Sequence, residues 1–294
     1  MRILVFGANG FLGKEVVNLL KSNDFEVFTI SRSDKSCNFN LNISKFDDFQ
    51  VLPNHFFDVI INCATVLPGG NYLDNDYLDA IYKTNILGSQ NICKWIESQQ
   101  TVIKIINCST LAVAQKPWEI DLKETVETYP YGNHVLYCSS KLMQELLFKT
   151  LSDAKEISLV QIRFSALYGK TMAWNGIICN LIDQAKKYKV IKLTNATKIN
   201  ADFLNVKDAA KIILASIQNP IIGILNAASG EEISLLDLAK MIVDNCDGEI
   251  EINSIDSEGF EESRAKININ KLTKYIDTSN FINLNKGIKE LLER

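Results

Sequence analysis

Five short runs of nearly unbroken apolar residues constrain this chain more than any other feature. They are RILVFG (2–7), EVFTIS (26–31), DVIINCA (58–64), VIKIINCS (102–109) and SLVQIRFS (158–165). A strand with one face in water alternates polar and apolar side chains, whereas a strand covered on both faces stays apolar along its length. Between the runs lie segments with a helical period, such as 11–21, where Leu12, Val16, Val17, Leu19 and Leu20 are apolar. Another is 76–99, with Ile81, Ile86, Ile92, Trp95 and Ile96. Strands that alternate with amphipathic helices pack as a parallel sheet with helices on both sides. The expected fold class is therefore α/β, with a doubly wound parallel sheet.

The alternation ends near residue 170. Segment 171–187 reads as a helix, 190–194 as a strand, 208–218 as a helix, and 233–246 as a helix opening on Ser234, an N-cap residue before an apolar stripe. Such a mixture predicts a smaller C-terminal lobe made of 170–200 and 229–294, with 201–228 returning to the main domain of 1–169. The balance of 47% hydrophobic and 22% charged residues is that of a soluble globule, and the net charge of −4 lacks the basic excess of nucleic-acid binders. Seven cysteines (Cys37, Cys63, Cys93, Cys108, Cys138, Cys179 and Cys246) are odd in number and form no Cys-x2-Cys pair. That usage predicts reduced thiols in the cytoplasm, with neither a disulfide framework nor a metal site. The apolar N-terminal run is too short for a secretory signal, and no stretch of about 18 apolar residues is present to span a membrane.

The motif GANGFLG places Gly7, Gly10 and Gly13 directly after the first strand, at the start of the first helix. There the glycines allow a tight turn and close backbone approach, and the helix N-terminus offers N–H groups and partial positive charge to a pyrophosphate. Downstream, YCSSK sets Tyr137 and Lys141 four apart, on one face if the segment is helical. Tyr188 and Lys192 share this spacing but run into a strand, where such residues do not pair. The fourth apolar run ends in NCST, with Ser109 and Thr110 preceding Tyr137 by 28 and 27 positions. A hydride moving to or from a carbinol carbon needs the oxygen's proton moved with it. Tyrosine, with an ordinary pKa of about 10, serves as base only beside a cation such as a lysine ammonium.

With these motifs, the chain resembles the extended short-chain dehydrogenase/reductase superfamily, the NAD-dependent epimerase/dehydratase family that acts on nucleotide sugars. The resemblance runs through DVIINCAT (58–65), TNILGSQNI (84–92), NCSTLAV (107–113), YCSSK with Glu145, IRFSALYG (162–169), ADFLNVKDAA (201–210) and GILNAASGEEISLLDLA (223–239). It implies a Rossmann-type dinucleotide-binding domain over 1–169 and a substrate-binding C-terminal lobe. It also implies a catalytic set of Thr110, Tyr137 and Lys141. The cofactor would lie on Gly7, Asn9, Gly10, Phe11, Leu12 and Gly13, on Asn40 and Leu41, on Cys63, Ala64 and Thr65, and on Asn85, Tyr137 and Lys141. Thr65, Ser109, Thr110, Ser165 and Arg264 would face the substrate. The second strand ends in Arg32, flanked by Ser31 and Ser33, with no acid before Asp34. An arginine there accommodates a 2′-phosphate, so NADP(H) is favoured, with NAD(H) as the alternative.

Several positions depart from the family pattern. Leu111 and Ala112 stand where 4,6-dehydratases carry an Asp-Glu pair, and Ala112 also replaces the cysteine that some members use for epimerisation. Ala201 replaces an arginine before Asp202, Ser165 an asparagine, and Lys170 a proline. The expectation is an NADP(H)-dependent reductase of a nucleotide-linked 4-keto-6-deoxy sugar for bacterial surface polysaccharide. The alternatives are a 4-epimerase with tightly bound NAD and a non-catalytic dinucleotide sensor. A homodimer through 76–99 and 137–152 is implied as well.

Overall fold

The computed structural model describes residues 1–32, 34, 36–69, 74–130, 132 and 134–294. The chain opens with β1 (Arg2–Phe6), α1 (Phe11–Ser22), β2 (Glu26–Ser31), β3 (Phe39–Asn40) and β4 (Val59–Asn62). Next come α2 (Asn75–Ile81), a π-helical turn (Tyr82–Gly88), α3 (Ser89–Glu97), β5 (Lys104–Thr110), α4 (Val135–Lys155) and β6 (Ser158–Phe164). After them follow β7 (Ala166–Tyr168), α5 (Gly176–Asp183), β8 (Val190–Thr194), β9 (Asn200–Ala201), β10 (Phe203–Asn205), α6 (Val206–Gln218) and β11 (Gly223–Ala227). The remainder comprises β12 (Ile233–Ser234), α7 (Leu235–Val243), β13 (Glu251–Ile255) and α8 (Leu284–Leu292).

The expected doubly wound sheet is present. Seven strands lie in the order β11-β6-β5-β4-β1-β2-β3, with parallel register from β6 through β3. The five apolar runs supply β1, β2, β4, β5 and β6. The two outer strands escaped sequence reading because β3 is only two residues long and β11 follows no comparable apolar run.

The chain groups into two compact units. The first comprises Met1–Gln115, Glu127–Phe164 and Ala210–Leu225, and its core packs Leu4, Phe6, Ile60 and Ile105 with Trp95 and Phe148. The second comprises Lys116–Val126, Ser165–Ala209 and Asn226–Arg294, and its core joins Tyr168, Leu181, Ile182, Leu238, Ile242, Ile288 and Leu291. Ser234 caps α7 as expected, its side chain accepting from the Asp237 N–H.

Two helices differ from their sequence pattern. The stripe over 76–99 is interrupted by the π-helical turn, at which Asn85 is fully buried and takes an N–H from Val66 at 2.7 Å. Gly88 closes that turn against Ile43, where a Cβ would lie 2.6 Å from the Ile43 Cδ1. An inserted π turn of this kind re-aims one side chain without ending the helix. The helix expected from 171 starts only at Gly176, because Asn175 before it is extended (φ −147°).

Within the first unit, α4 is registered on the sheet by polar groups. Asn62, Asn107 and Gln161 stand side by side on β4, β5 and β6. Asn62 Nδ2 donates to Asn107 Oδ1 at 3.1 Å, Asn107 Nδ2 to Gln161 Oε1 at 2.7 Å, and Gln161 Nε2 to the Glu145 carbonyl at 2.7 Å. Two residues further along the same strand faces, Ser109 donates to Glu145 Oε1 at 2.5 Å, and Arg163 grips both Glu145 oxygens at 3.0 and 2.8 Å. Both partners of this ion pair are buried. Removing one side of such a pair strands a buried charge. Urea unfolding of Glu145→Ala is therefore expected to show a loss of about 3–5 kcal/mol. Replacing both partners, as Glu145→Leu with Arg163→Met, is expected to restore most of it.

Candidate functional site

The glycine loop between β1 and α1 is built for a close neighbour. Gly7 adopts φ +74°, and a Cβ on it would sit 2.6 Å from the Ala64 nitrogen; on Gly13 it would lie 2.1 Å from the Gly7 carbonyl oxygen. No side chain caps α1, so Gly10 at its N-cap leaves the first-turn N–H groups of Phe11, Leu12 and Gly13 facing outward from the helix end. A backbone cradle without side chains, closed by a helix N-terminus, fits a pyrophosphate. Asn9 in the loop donates to Asp34 at 2.6 Å and accepts from the Cys37 thiol at 3.4 Å. Hydrogen bonds from Ser36, then Asn9, hold the Asp34 carboxyl below its ordinary range. Arg32 is exposed just after β2; its neighbour Ser33 lies outside the described residues. Asn40 pairs with Ser31 across β2 and β3, and the buried Leu41 donates its N–H to the Ser31 carbonyl at 3.1 Å.

At the neighbouring strand ends the other expected residues come together. Cys63, Ala64 and Thr65 follow β4, and Thr65 Oγ1 donates to Asn85 Oδ1 at 3.3 Å. Thr110 ends β5 and caps a short turn, its Oγ1 accepting the Ala112 N–H at 3.2 Å. An accepting lone pair used in this way leaves the hydroxyl proton to be donated. Cys63 and Cys108 lie with sulfurs 3.5 Å apart; the hydrogen bond between them, then burial, pushes the Cys63 thiol well above its ordinary range. The Cys63 thiol therefore stays protonated at neutral pH and is not a nucleophile.

Helix α4 carries Tyr137, Lys141 and Glu145 at fourfold spacing, all buried. Lys141 Nζ donates to the Cys108 carbonyl at 2.7 Å and to Gln144 Oε1. Burial lowers the ammonium from 10.5 to about 8, against the opposing pull of Cys108, Glu145 and Cys63. Burial also pushes the Tyr137 phenol well above its ordinary range, with Cys138 and Tyr77 acting in the same direction. The protein alone therefore holds Tyr137 as a neutral proton donor, and the lowering that a lysine could bring does not dominate.

Ser109, expected to face substrate, directs its hydroxyl into the buried Glu145. Ser165 and Arg264 belong to the second unit. The Ser165 N–H donates to the Ala227 carbonyl at 2.9 Å. Arg264 donates to Glu232 from Nε, at 3.0 and 3.1 Å, and from Nη2; it also lies 3.6 Å from Glu262. Its fork is already filled by a carboxylate. Sequence reading missed Glu232 and the buried Gln144, Ser89 and Ser140. The signal for Gln144, Ser89 and Ser140 was present as polar residues falling on the apolar stripe of a helix, whereas Glu232 lies in a loop and carried none.

Comparison with known proteins identifies the family and the fold. A model of the NAD dependent epimerase/dehydratase family matches residues 3–228. The dTDP-L-rhamnose 4-epimerase of Burkholderia thailandensis is 28% identical over 36% of this chain, which spans 31% of that protein. The GDP-6-deoxy-D-talose 4-dehydrogenase of Aggregatibacter actinomycetemcomitans is 26% identical over 72% of this chain and 69% of its own length. Among solved structures, UDP-glucuronic acid 4-epimerase from Bacillus cereus, in complex with NAD and a fluorinated sugar nucleotide, superposes with a TM-score of 0.84. That match has 21% identity and covers 100% of this chain and 98% of the other.

The depressed Lys141 ammonium has a consequence for stability. The folded state binds its proton less tightly than the unfolded chain, so folding gains stability as pH rises above about 8 and levels off near the unfolded value of 10.5. Unfolding free energies from denaturant titrations across this window are expected to rise by up to roughly 3 kcal/mol relative to Lys141→Met, which lacks the titration. Parallel pH profiles for the two proteins would refute it.

Proposed function

The chain belongs to the NAD dependent epimerase/dehydratase family, and on that premise we propose that it is an NADP(H)-dependent reductase of the 4-keto group of a nucleotide-linked 4-keto-6-deoxy sugar. The observation that carries the reading is the placing of buried Tyr137 and Lys141 one turn apart on α4, where burial keeps the phenol able to donate its proton. A bound nicotinamide supplies or takes up the hydride. In reduction, Tyr137 gives its proton to the sugar oxygen, and Thr110 donates a hydrogen bond to the same oxygen as charge develops. Lys141 binds the dinucleotide ribose and supplies positive charge beside the phenolate left behind. Leu111 and Ala112 offer no acid for water elimination.

The glycine loop and α1 take the pyrophosphate, and Asn40, Leu41, Cys63, Ala64, Thr65 and Asn85 line the rest of the dinucleotide. Arg32 suits a 2′-phosphate. A contact from Arg264 to a nucleotide diphosphate requires exchange of its Glu232 partner. We place the protein in the cytoplasm, in the supply of deoxy sugars for surface polysaccharide; among the described residues no helix is long and apolar enough to cross a membrane.

A 4-epimerase retaining NAD is the second reading. Asp34 favours it, since a carboxylate tied to the glycine loop through Asn9 suits a free ribose hydroxyl better than a phosphate. A panel of dTDP-, CDP- and GDP-linked 4-keto sugars, assayed with NADPH and NADH by nicotinamide absorbance, separates the two. Oxidation of NADPH is expected. Bound NAD in the purified protein, with turnover in the absence of added cofactor, would replace the reductase by the epimerase. Tyr137→Phe is expected to lower turnover at least about a hundredfold while cofactor still binds; undiminished turnover would remove Tyr137 from the mechanism.

We further propose that a second copy of the chain docks on α3 and α4. Between these helices lies a groove of about 590 Å³ lined by Cys93, Met143, Leu146, Leu147 and Leu151, among others, and Leu146 and Met143 remain 54% and 45% exposed. Contiguous apolar surface of this kind marks an interaction site. Light scattering is expected to report twice the mass of one chain, and Leu146→Glu to halve it.

A further inference from the structure

The Lys141 ammonium is held from behind by a residue outside the Tyr-x3-Lys motif. Gln144, fully buried one turn along α4, accepts from Lys141 through Oε1 and donates from Nε2 to Ser89 Oγ at 2.7 Å. Ser89 Oγ passes its proton to the Asn85 carbonyl in the π-helical turn, also at 2.7 Å. From the same Asn85, Nδ2 donates to Ser140 Oγ at 2.9 Å, and Ser140 donates to the Tyr137 carbonyl at 2.7 Å. Lys141 and Tyr137 are thus moored to one buried asparagine by two separate routes.

The route through Gln144 has a single allowed direction. An ammonium only donates, so the amide must present its oxygen to Lys141 and its NH2 to Ser89; the flipped amide would set donor against donor. The Cys108 carbonyl takes a second ammonium donor. One N–H of three then serves a ligand. We infer that Gln144 is a positioning residue that fixes the Lys141 ammonium in its charged form through Ser89 and the π-helical turn, so that this third donor meets the bound dinucleotide.

The charge balance around Lys141 supports this role. The titratable groups acting on it are Cys108 from β5, Glu145 one turn along α4 and Cys63 after β4. The Cys63 thiol is held protonated, and the Glu145 oxygens are engaged by Ser109 and Arg163. Burial opposes the charge. The Gln144 oxygen is one of two neutral acceptors that offset this.

This inference rests on the proposed contact between Lys141 and the dinucleotide. Its test is fluorescence titration of NADPH and NADH from neutral to alkaline pH, on the full chain and on variants whose folding is checked by thermal melts. Affinity is expected to fall as Lys141 loses its proton. The midpoint of that fall should move down in Gln144→Met, which lacks the acceptor, and up in Gln144→Glu, which adds a carboxylate. Each shift is expected to be about one pH unit, which approaches a tenfold difference in affinity at pH above both midpoints. Ser89→Ala, which frees the outer end of the amide, should move it down by less and serves if a Gln144 variant does not fold. Wild-type midpoints in all folded variants would overturn the inference. Lys141→Met keeping the wild-type affinity and pH profile would instead overturn the dinucleotide contact itself.

Discussion

The candidate site depends on one buried ion pair. Glu145 and Arg163 join the middle of α4 to β6, and the amide line from Asn62 through Asn107 to Gln161 ends on the Glu145 carbonyl. These directional contacts fix the axial position of a helix that apolar packing alone would let slide. A helix rises about 1.5 Å per residue, so a slip of one residue would carry Tyr137 and Lys141 off their strand ends and rotate them by roughly a quarter turn. Lys141 and Tyr137 lie one and two turns before Glu145, which makes the ion pair the ruler from which they are measured.

That arrangement sets two opposed demands on Lys141. Burial among strand ends favours the neutral amine, whereas its proposed work requires the ammonium. Neutral acceptors reconcile them, because the Cys108 carbonyl and the Gln144 amide stabilise the charge without neutralising it. A carboxylate in their place would hold the proton more firmly and turn the ammonium toward itself. Burial acts on Tyr137 in the useful direction for a reductase, keeping the phenol loaded with its proton. One low-dielectric pocket therefore moves the two pKa values apart. Separated acid and base assignments of this kind are a mark of functional sites.

The second unit shows a similar economy of charge. Arg264 is neutralised by Glu232, whose carboxyl the guanidinium holds below its ordinary range. With Ala201 in place of an arginine, the basic groups of this unit are arranged differently from the pattern that the family suggested.

By itself, the sequence determined the α/β class, the five long strands of the sheet, the glycine loop and the placing of Tyr137 and Lys141 on one helix face. All of these follow from local periodicity and from residue types with few alternative uses. Only the tertiary structure decided that Ser109 turns into Glu145, that Arg264 is bound by Glu232, that 76–99 breaks at a π-helical turn, and that Gln144 holds Lys141. The reason is physical. A strand residue's face and a helix stripe are set by neighbours close in sequence, whereas hydrogen-bond partners are chosen by groups 32 to 55 positions away, as for Glu232 with Arg264 and Gln144 with Ser89. A buried polar residue announces that it needs a partner, and only the folded chain says which one it finds.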